Sequence, residues 1–219
     1  MALSASTTHI AHIRQDYTLA ALDESITGND PLAFFHRWFD EAQTAQISEV
    51  NAMTLATVSA EGKPHARIVL LKGVEHNGLI FFTNYDSNKG RQIASHDSAA
   101  LLFFWKELER QVRVEGKIRK ISEEESDQYF HSRPAGSRIG AWSSPQSQVI
   151  SDRSVLDKNY KDYEAKFADT TIPRPPHWGG YIVEPMQIEF WQGRSSRMHD
   201  RILFTLSDNG TWEKARLAP

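Results

Sequence analysis

The hydrophobic period of this chain changes at Met53, and that change sets what the chain can fold into. Before it, Leu32, Phe34, Phe35, Trp38, Phe39 and Ala42 recur at helical spacing behind Asn29-Asp30-Pro31, a cap and a first-turn proline. The spacing predicts an amphipathic helix. From Met53 to Ser59, Pro64 to Gly73, Leu79 to Asn84, Ala99 to Trp105 and Arg110 to Ile121 run short segments rich in β-branched and aromatic residues. Turn signals at 60–63 (Ala-Glu-Gly-Lys) and 75–78 (Glu-His-Asn-Gly) separate several of them, so a meander of antiparallel strands is predicted.

Helices punctuate that meander. Ser87 to His96 is too polar for a central strand and places Lys89, Gln92 and Ile93 at helical spacing. Ser122-Glu-Glu-Glu125 matches a capping box and opens a helix to about Arg133, where Pro134 disfavours continuation and can begin a second short helix. Asp152 to Phe167 is helical and charged. Strands return at Gly180 to Glu184, Gln187 to Gln192, Arg201 to Leu206 and Thr211 to Leu217, with Asp208-Asn-Gly210 as a hairpin turn. At the other end, Ile10 to Ala20 suits a short helix and Ala21 to Asp30 a loop; this arm is expected to be mobile or to order over something else. Seven or so antiparallel strands among helices make a mainly β (α+β) chain, a closed or split barrel with helices packed outside.

The 219 residues suit a single domain, and 40% hydrophobic with 24% charged residues is the balance of a folded globular protein. A net charge of −3 argues against a general nucleic-acid binder. The chain shows neither an apolar run of membrane-spanning length nor a secretory leader, so no membrane partner and a cytoplasmic location are expected. With no Cys, any redox chemistry must come from a cofactor. The nine His are scattered without a His-Glu-x-x-His pattern, and no metal site is expected. Neither Gly-x-Gly-x-x-Gly nor a Gly-x-x-x-x-Gly-Lys-Ser/Thr loop occurs, so a bound phosphate must be held by side chains.

Four constellations could hold such a phosphate. Arg67-Ile-Val-Leu-Leu-Lys72 is an apolar strand with a cation at each end: either a buried strand with its ends in solvent, or two anion contacts on opposite faces. Lys89 lies in the first turn of the helix after Phe82-Thr-Asn84, an anion site or an ordinary cap. Tyr129, Arg133 and Ser137, four apart, offer hydroxyl, guanidinium and hydroxyl to a phosphate monoester, a pattern that helices also produce by chance. In Trp191-Gln-Gly-Arg-Ser-Ser-Arg197-Met-His199-Asp-Arg201, an extended backbone would point Arg197, His199 and Arg201 the same way, either at an anion or into water from an edge strand.

Together these segments resemble the pyridoxamine phosphate oxidase family, from about Ile10 to Pro219. The resemblance rests on Arg67 to Lys72, Leu108-Glu-Arg-Gln-Val112, Tyr129-Phe-His-Ser-Arg-Pro134, Ile139-Gly-Ala-Trp142, Gln146-Ser147, Phe190-Trp-Gln-Gly193 and Arg197-Met-His-Asp-Arg201. It implies an FMN-binding split barrel, an antiparallel Greek-key barrel with peripheral helices. The same resemblance implies a homodimer with FMN at the subunit interface, residues 1–30 as a mobile lid and residues 31–219 as one domain. By that likeness FMN is held by Arg67, Ile68, Val69, Leu70, Leu71, Lys72, Phe82, Thr83, Lys89, Gln111, Gln146, Ser147, Trp191 and Arg201. The substrate, a phosphorylated B6 vitamer oxidised with O2, would meet Lys72, Tyr129, Arg133 and Ser137 through its phosphate. Arg197, Met198 and His199 would face its ring, Arg197 and His199 as catalytic groups, with Arg14 and Tyr17 covering it. Two positions depart from the family's pattern: Asn88 stands where an arginine is common, and Phe82 where a tyrosine is common.

Overall fold

Asp30 opens the first long helix by accepting from the N–H groups of Leu32 and Ala33, at 2.9 and 3.2 Å, with Pro31 behind it. The computed structural model describes Ile10, His12, Ile13 and residues 15–219. Its helices are α1 (Glu24–Thr27), α2 (Pro31–Thr44), α3 (Asn88–Ser95), α4 (Glu123–Ser132), α5 (Ala135–Ser143) and α6 (Ser154–Lys166). Among the described residues there are nine strands: β1 (Ala52–Val58), β2 (Pro64–Leu70), β3 (Gly73–Glu75), β4 (Gly78–Asn84), β5 (Ser98–Trp105), β6 (Arg110–Lys120), β7 (Trp178–Gln192), β8 (Asp200–Leu206) and β9 (Trp212–Leu217). They follow the order β2-β1-β5-β6-β7-β4-β3, with β8 on β7 and β9 on β8. The β1–β2, β1–β5, β3–β4, β4–β7 and β8–β9 pairs are antiparallel, as the turn signals require.

The chain divides into two compact units. One comprises the described residues up to Val50 with Phe104–Val112 and Ile188–Pro219; the other comprises Asn51–Phe103 and Arg113–Gln187. The first unit buries the apolar face of α2. Phe34 and Trp38 meet Phe190 at ring distances of 4.5 and 5.3 Å, and Phe190 meets Phe204 at 5.9 Å. Each such ring, fully buried, stabilises the unit by about 1.5–3 kcal/mol. The second unit closes on Met53, Leu55, Leu79, Phe81, Leu101, Phe103, Val114 and Ile182, all buried.

Four local expectations are corrected. Residues 15–20 are not helical; Leu19 N–H instead donates to Glu109 Oε2 at 3.1 Å, a buried carboxylate that claims the backbone a helix would have used. The expected loop before Asp30 contains α1, capped by Asp23. β7 is a single strand through Pro185, not two. Gly116 permits this: a Cβ there would lie 2.1 Å from Glu184 O and 2.9 Å from Pro185 Cα, so only glycine lets β6 approach the proline so closely. Finally, β2 is not buried. It stands at the end of the strand order with Ile68 64% exposed, so the apolar run is an uncovered edge strand. No described helix is long and apolar enough to cross a membrane.

Candidate active site

In the second unit, β1 and β2 register Arg67 against Leu55, which aims the guanidinium across the sheet edge towards α3. Arg67 Nη1 donates to Leu55 O at 3.1 Å and to Thr57 Oγ1 at 2.5 Å, and Nη2 donates to Gln92 Oε1 at 2.9 Å. Thr57 and Gln92 are both buried and join each other at 2.6 Å, so the Arg67 fork is held by a rigid pair. Next to it, Ser87 caps α3 and Lys89 folds back: its Nζ donates to Gln146 Oε1 at 2.9 Å, Thr83 Oγ1 at 3.2 Å and Ser87 Oγ at 3.4 Å. Burial, and secondarily the charge of Arg67, press the Lys89 ammonium below its ordinary pKa; burial does the same to Arg67. Among the described residues no carboxylate pairs with either cation. Two half-buried, mutually repelling cations held by neutral acceptor oxygens form a group that can take up an anion. Ser147 follows Gln146 at a left-handed φ of 69°. Asn88, on the exposed side of α3, accepts from Arg91.

A second group lies in the same unit. Tyr129, on α4, stacks on Phe82 of β4 at 3.8 Å and 18°, and both rings run nearly parallel to Trp178, at 6.2 and 5.5 Å. Arg133 caps α4, and its Cζ sits 4.5 Å from the Trp178 ring centre. Its Nη1 is buried without a hydrogen-bond partner. Burial lowers the Arg133 pKa, with Tyr129 opposing. Ser137 is exposed on α5, and Lys72 is exposed after β2, where its N–H donates to Ile80 O at 2.8 Å.

The first unit holds the aromatic cluster. The His199 ring lies 4.6 Å from Trp191 and 6.0 Å from Tyr17, and Tyr17 meets Trp191 edge-on at 5.8 Å. Gly193 makes the seat for Tyr17, since a Cβ there would fall 2.7 Å from the tyrosine ring. Arg194 N–H donates to His199 Nδ1 at 3.1 Å, which fixes the neutral tautomer with its proton on Nε2, the nitrogen left free to donate. Arg197 and His199 line a cavity of about 890 Å³ with Tyr17, Asp16, Arg194 and Ser196.

The expected common direction of Arg197, His199 and Arg201 is not found. Ser195–Arg197 is a 3-10 turn, with Ser196 at φ 55° and Arg197 at φ 61°, so strand alternation does not apply there. Arg201 turns instead to buried Glu189 through two bonds of 2.8 and 3.0 Å, which raise its pKa. Met198 is 67% exposed; Gln111 is half-buried; Arg14 lies outside the described residues. Sequence reading did not find Thr57, Gln92, Glu189 or Trp178 as parts of these groups. Only Gln92 left a trace, at helical spacing with Lys89.

These groups are carried by an antiparallel split barrel with peripheral helices, and comparison with known proteins agrees. A family profile described as pyridoxamine 5'-phosphate oxidase matches residues 39–167, and one described as the pyridoxine 5'-phosphate oxidase C-terminal dimerisation region matches residues 178–219. The chain belongs to the pyridoxamine 5'-phosphate oxidase family. It is 55% identical over 212 residues to a pyridoxine/pyridoxamine 5'-phosphate oxidase of Cupriavidus necator, covering 97% of this chain and 100% of that one. A protein of the same description from Trichormus variabilis is 54% identical, covering 96% and 98%. Among solved structures, PhzG from Burkholderia lata in complex with tetrahydrophenazine-1-carboxylic acid superposes with TM-score 0.86 at 27% identity, covering 94% of this chain and 100% of that one. A pyridoxamine 5'-phosphate oxidase-related, FMN binding protein from Nostoc punctiforme shares the fold, with TM-score 0.70 at 19% identity, covering 87% and 98%.

Proposed function

We propose that this chain is an FMN-dependent oxidase that converts pyridoxamine 5'-phosphate and pyridoxine 5'-phosphate to pyridoxal 5'-phosphate with O2 as acceptor. Hydrogen peroxide is released in both cases, and with the amine a water molecule supplies the aldehyde oxygen as ammonia leaves. The observation that carries the reading is full-length similarity, above half identity, to proteins described as that oxidase. The pair of half-buried cations without a carboxylate supports it, because that pair fits the phosphate of FMN.

When bound, FMN supplies the two-electron redox chemistry that a chain without Cys lacks. In this reading Arg67 and Lys89 hold the flavin phosphate, with Thr83, Gln146 and Ser147 as neutral donors and residues 68–72 contributing mainly backbone. Phe82, Gln111, Trp191 and Arg201 complete its surroundings. Arg133, with its unpartnered Nη1, binds the substrate phosphate beside Tyr129, Lys72 and Ser137. His199 offers Nε2–H to the substrate ring and Arg197 stabilises developing negative charge on it, with Met198 alongside. Arg14 and Tyr17, on the arm of residues 1–30, exclude water from the site, and residues 31–219 act as one domain. The match to a dimerisation region supports a homodimer, in which FMN lies at the subunit interface and both groups of residues reach one substrate.

The test is to purify the protein with FMN, add pyridoxamine 5'-phosphate without oxygen and follow the flavin absorbance. Bleaching, with peroxide appearing once air is admitted, is expected. Arg197→Ala and His199→Ala should keep bound FMN while turnover falls about 100-fold or more. A flavin that stays oxidised in the wild type overturns the reading.

A further inference from the structure

We propose that Trp178 is a positioning residue for the substrate phosphate, acting through Arg133. The inference rests on the function proposed above and adds a residue to it.

Arg133 ends α4, where a long side chain would ordinarily sweep through water. Here its guanidinium lies 4.5 Å from the Trp178 ring centre and 5.7 Å from that of Phe130, close enough for the cation to be drawn to both faces. The ring is itself held from several sides. Trp178 is 7% exposed and begins β7 in register with Asn84. Its N–H donates to Pro175 O at 3.0 Å. Arg174 donates from Nη1 to Trp178 O at 2.7 Å and from Nε to Asp127 at 2.6 Å, which ties the start of β7 to the helix that carries Tyr129 and Arg133.

Phe82 lies nearly parallel to both Trp178 and Tyr129, and Gly180 leaves room for it, since a Cβ there would stand 2.9 Å from Phe82 Cε1. One aromatic platform thus orients two prospective phosphate donors, the Tyr129 hydroxyl and the Arg133 fork. Arg133 Nη1 is buried and unpartnered, an arrangement that costs stability unless an anion arrives. The tryptophan face stands where a carboxylate would otherwise neutralise the arginine. It fixes the direction of the guanidinium and leaves its charge free for the ligand.

The experiment compares Trp178→Leu, Trp178→Phe, Arg133→Ala and the double variant Arg133→Ala/Trp178→Leu as FMN-loaded protein. Calorimetric titration with pyridoxal 5'-phosphate is read beside KM and kcat for pyridoxamine 5'-phosphate. Trp178→Leu should weaken binding and raise KM about tenfold with kcat within about twofold, while Trp178→Phe, which keeps an aromatic face, recovers most of the loss. In the Arg133→Ala background, Trp178→Leu should add nothing further. Additive losses, or an unchanged affinity in Trp178→Leu, overturn the proposal. If Trp178→Leu lowers FMN content and kcat together and Trp178→Phe does not restore them, the role is structural and the proposal falls. Because pyridoxal 5'-phosphate binding is measured without turnover, a wild type that binds it but oxidises nothing would sink the proposed function and leave this inference standing.

Discussion

Lys89 shows how a single residue can serve binding at the expense of stability. Its ammonium is half-buried, held among the described residues only by neutral oxygens, and pressed below its ordinary pKa by burial and by Arg67. Without an anion, that arrangement destabilises the folded chain; with one, the same charge is compensated. Lys89→Met should therefore move two measurements in opposite directions. The FMN-free protein should melt at a higher temperature than the wild type, because a repelling charge is gone. FMN should bind roughly 10- to 100-fold more weakly, the equivalent of losing a charge-assisted hydrogen bond of about 1.5–3 kcal/mol. A variant that melts lower and binds FMN unchanged would show that Lys89 is a structural cap.

At the scale of elements, the stretch from Leu22 to Gly28 ahead of α2 is tied down by charge. Arg216 of β9 donates to both Glu24 oxygens, at 2.8 and 2.7 Å, to Asp200 Oδ1 at 2.9 Å and to Leu22 O at 3.2 Å. Asp200 Oδ2 accepts from Leu22 N–H at 3.1 Å, and Lys214 donates to Glu24 O at 2.7 Å. Hydrogen bonding to Arg216 is the main reason the Glu24 carboxyl lies below its ordinary 4.5. A carboxyl depressed in the folded state stabilises it above the unfolded value and ceases to do so as pH falls through the folded one. The clasp is thus complete at neutral pH and opens only in acid, below about pH 4.5. Urea midpoints measured between pH 6 and pH 3 should fall less steeply in Arg216→Gln than in the wild type, and trypsin should reach the arm of that variant faster at neutral pH. Parallel pH profiles would remove Glu24 and Arg216 from the clasp.

The same scale shows what the residues declared in advance. Helix α2 was legible because its cap, proline and apolar stripe agree, and the capping box of α4 forms as written, Ser122 N–H donating to Glu125 and Glu125 N–H to Ser122. Pro185 misled because the glycine that accommodates it lies 69 positions earlier in the chain. Ser196 and Arg197 misled because neither residue type advertises positive φ, so nothing local marks the turn that redirects Arg201. The Thr57–Gln92 cradle and the Trp178 platform were hidden for a further reason. Each joins a strand residue to helix residues far away in sequence, and only the packing of the helix on the sheet brings them together.

At the scale of the whole molecule, the two prospective halves of the site sit in different units, Lys89 and Arg133 in one, Arg197 and His199 in the other. A homodimer with FMN at its interface would allow one active site to draw Lys89 from one subunit and Arg197 from its partner. That arrangement has a consequence no single-subunit site shares. Lys89→Ala, assayed at FMN too dilute to load it, and Arg197→Ala, each nearly inactive alone under those conditions, should regain activity when mixed and allowed to exchange subunits. In a mixed dimer one site collects both lesions and the other collects neither. With random exchange half the dimers are mixed and half the sites of each are intact, so about a quarter of wild-type activity should return. If both residues served the same subunit's site, every site in the mixture would carry one lesion, and activity would stay at the level of the separate variants. Mixing two variants of the same site group, Lys89→Ala with Arg67→Ala, supplies the control: that pair should stay inactive whichever arrangement holds, because exchange can only redistribute lesions that always fall in the site fed by their own subunit.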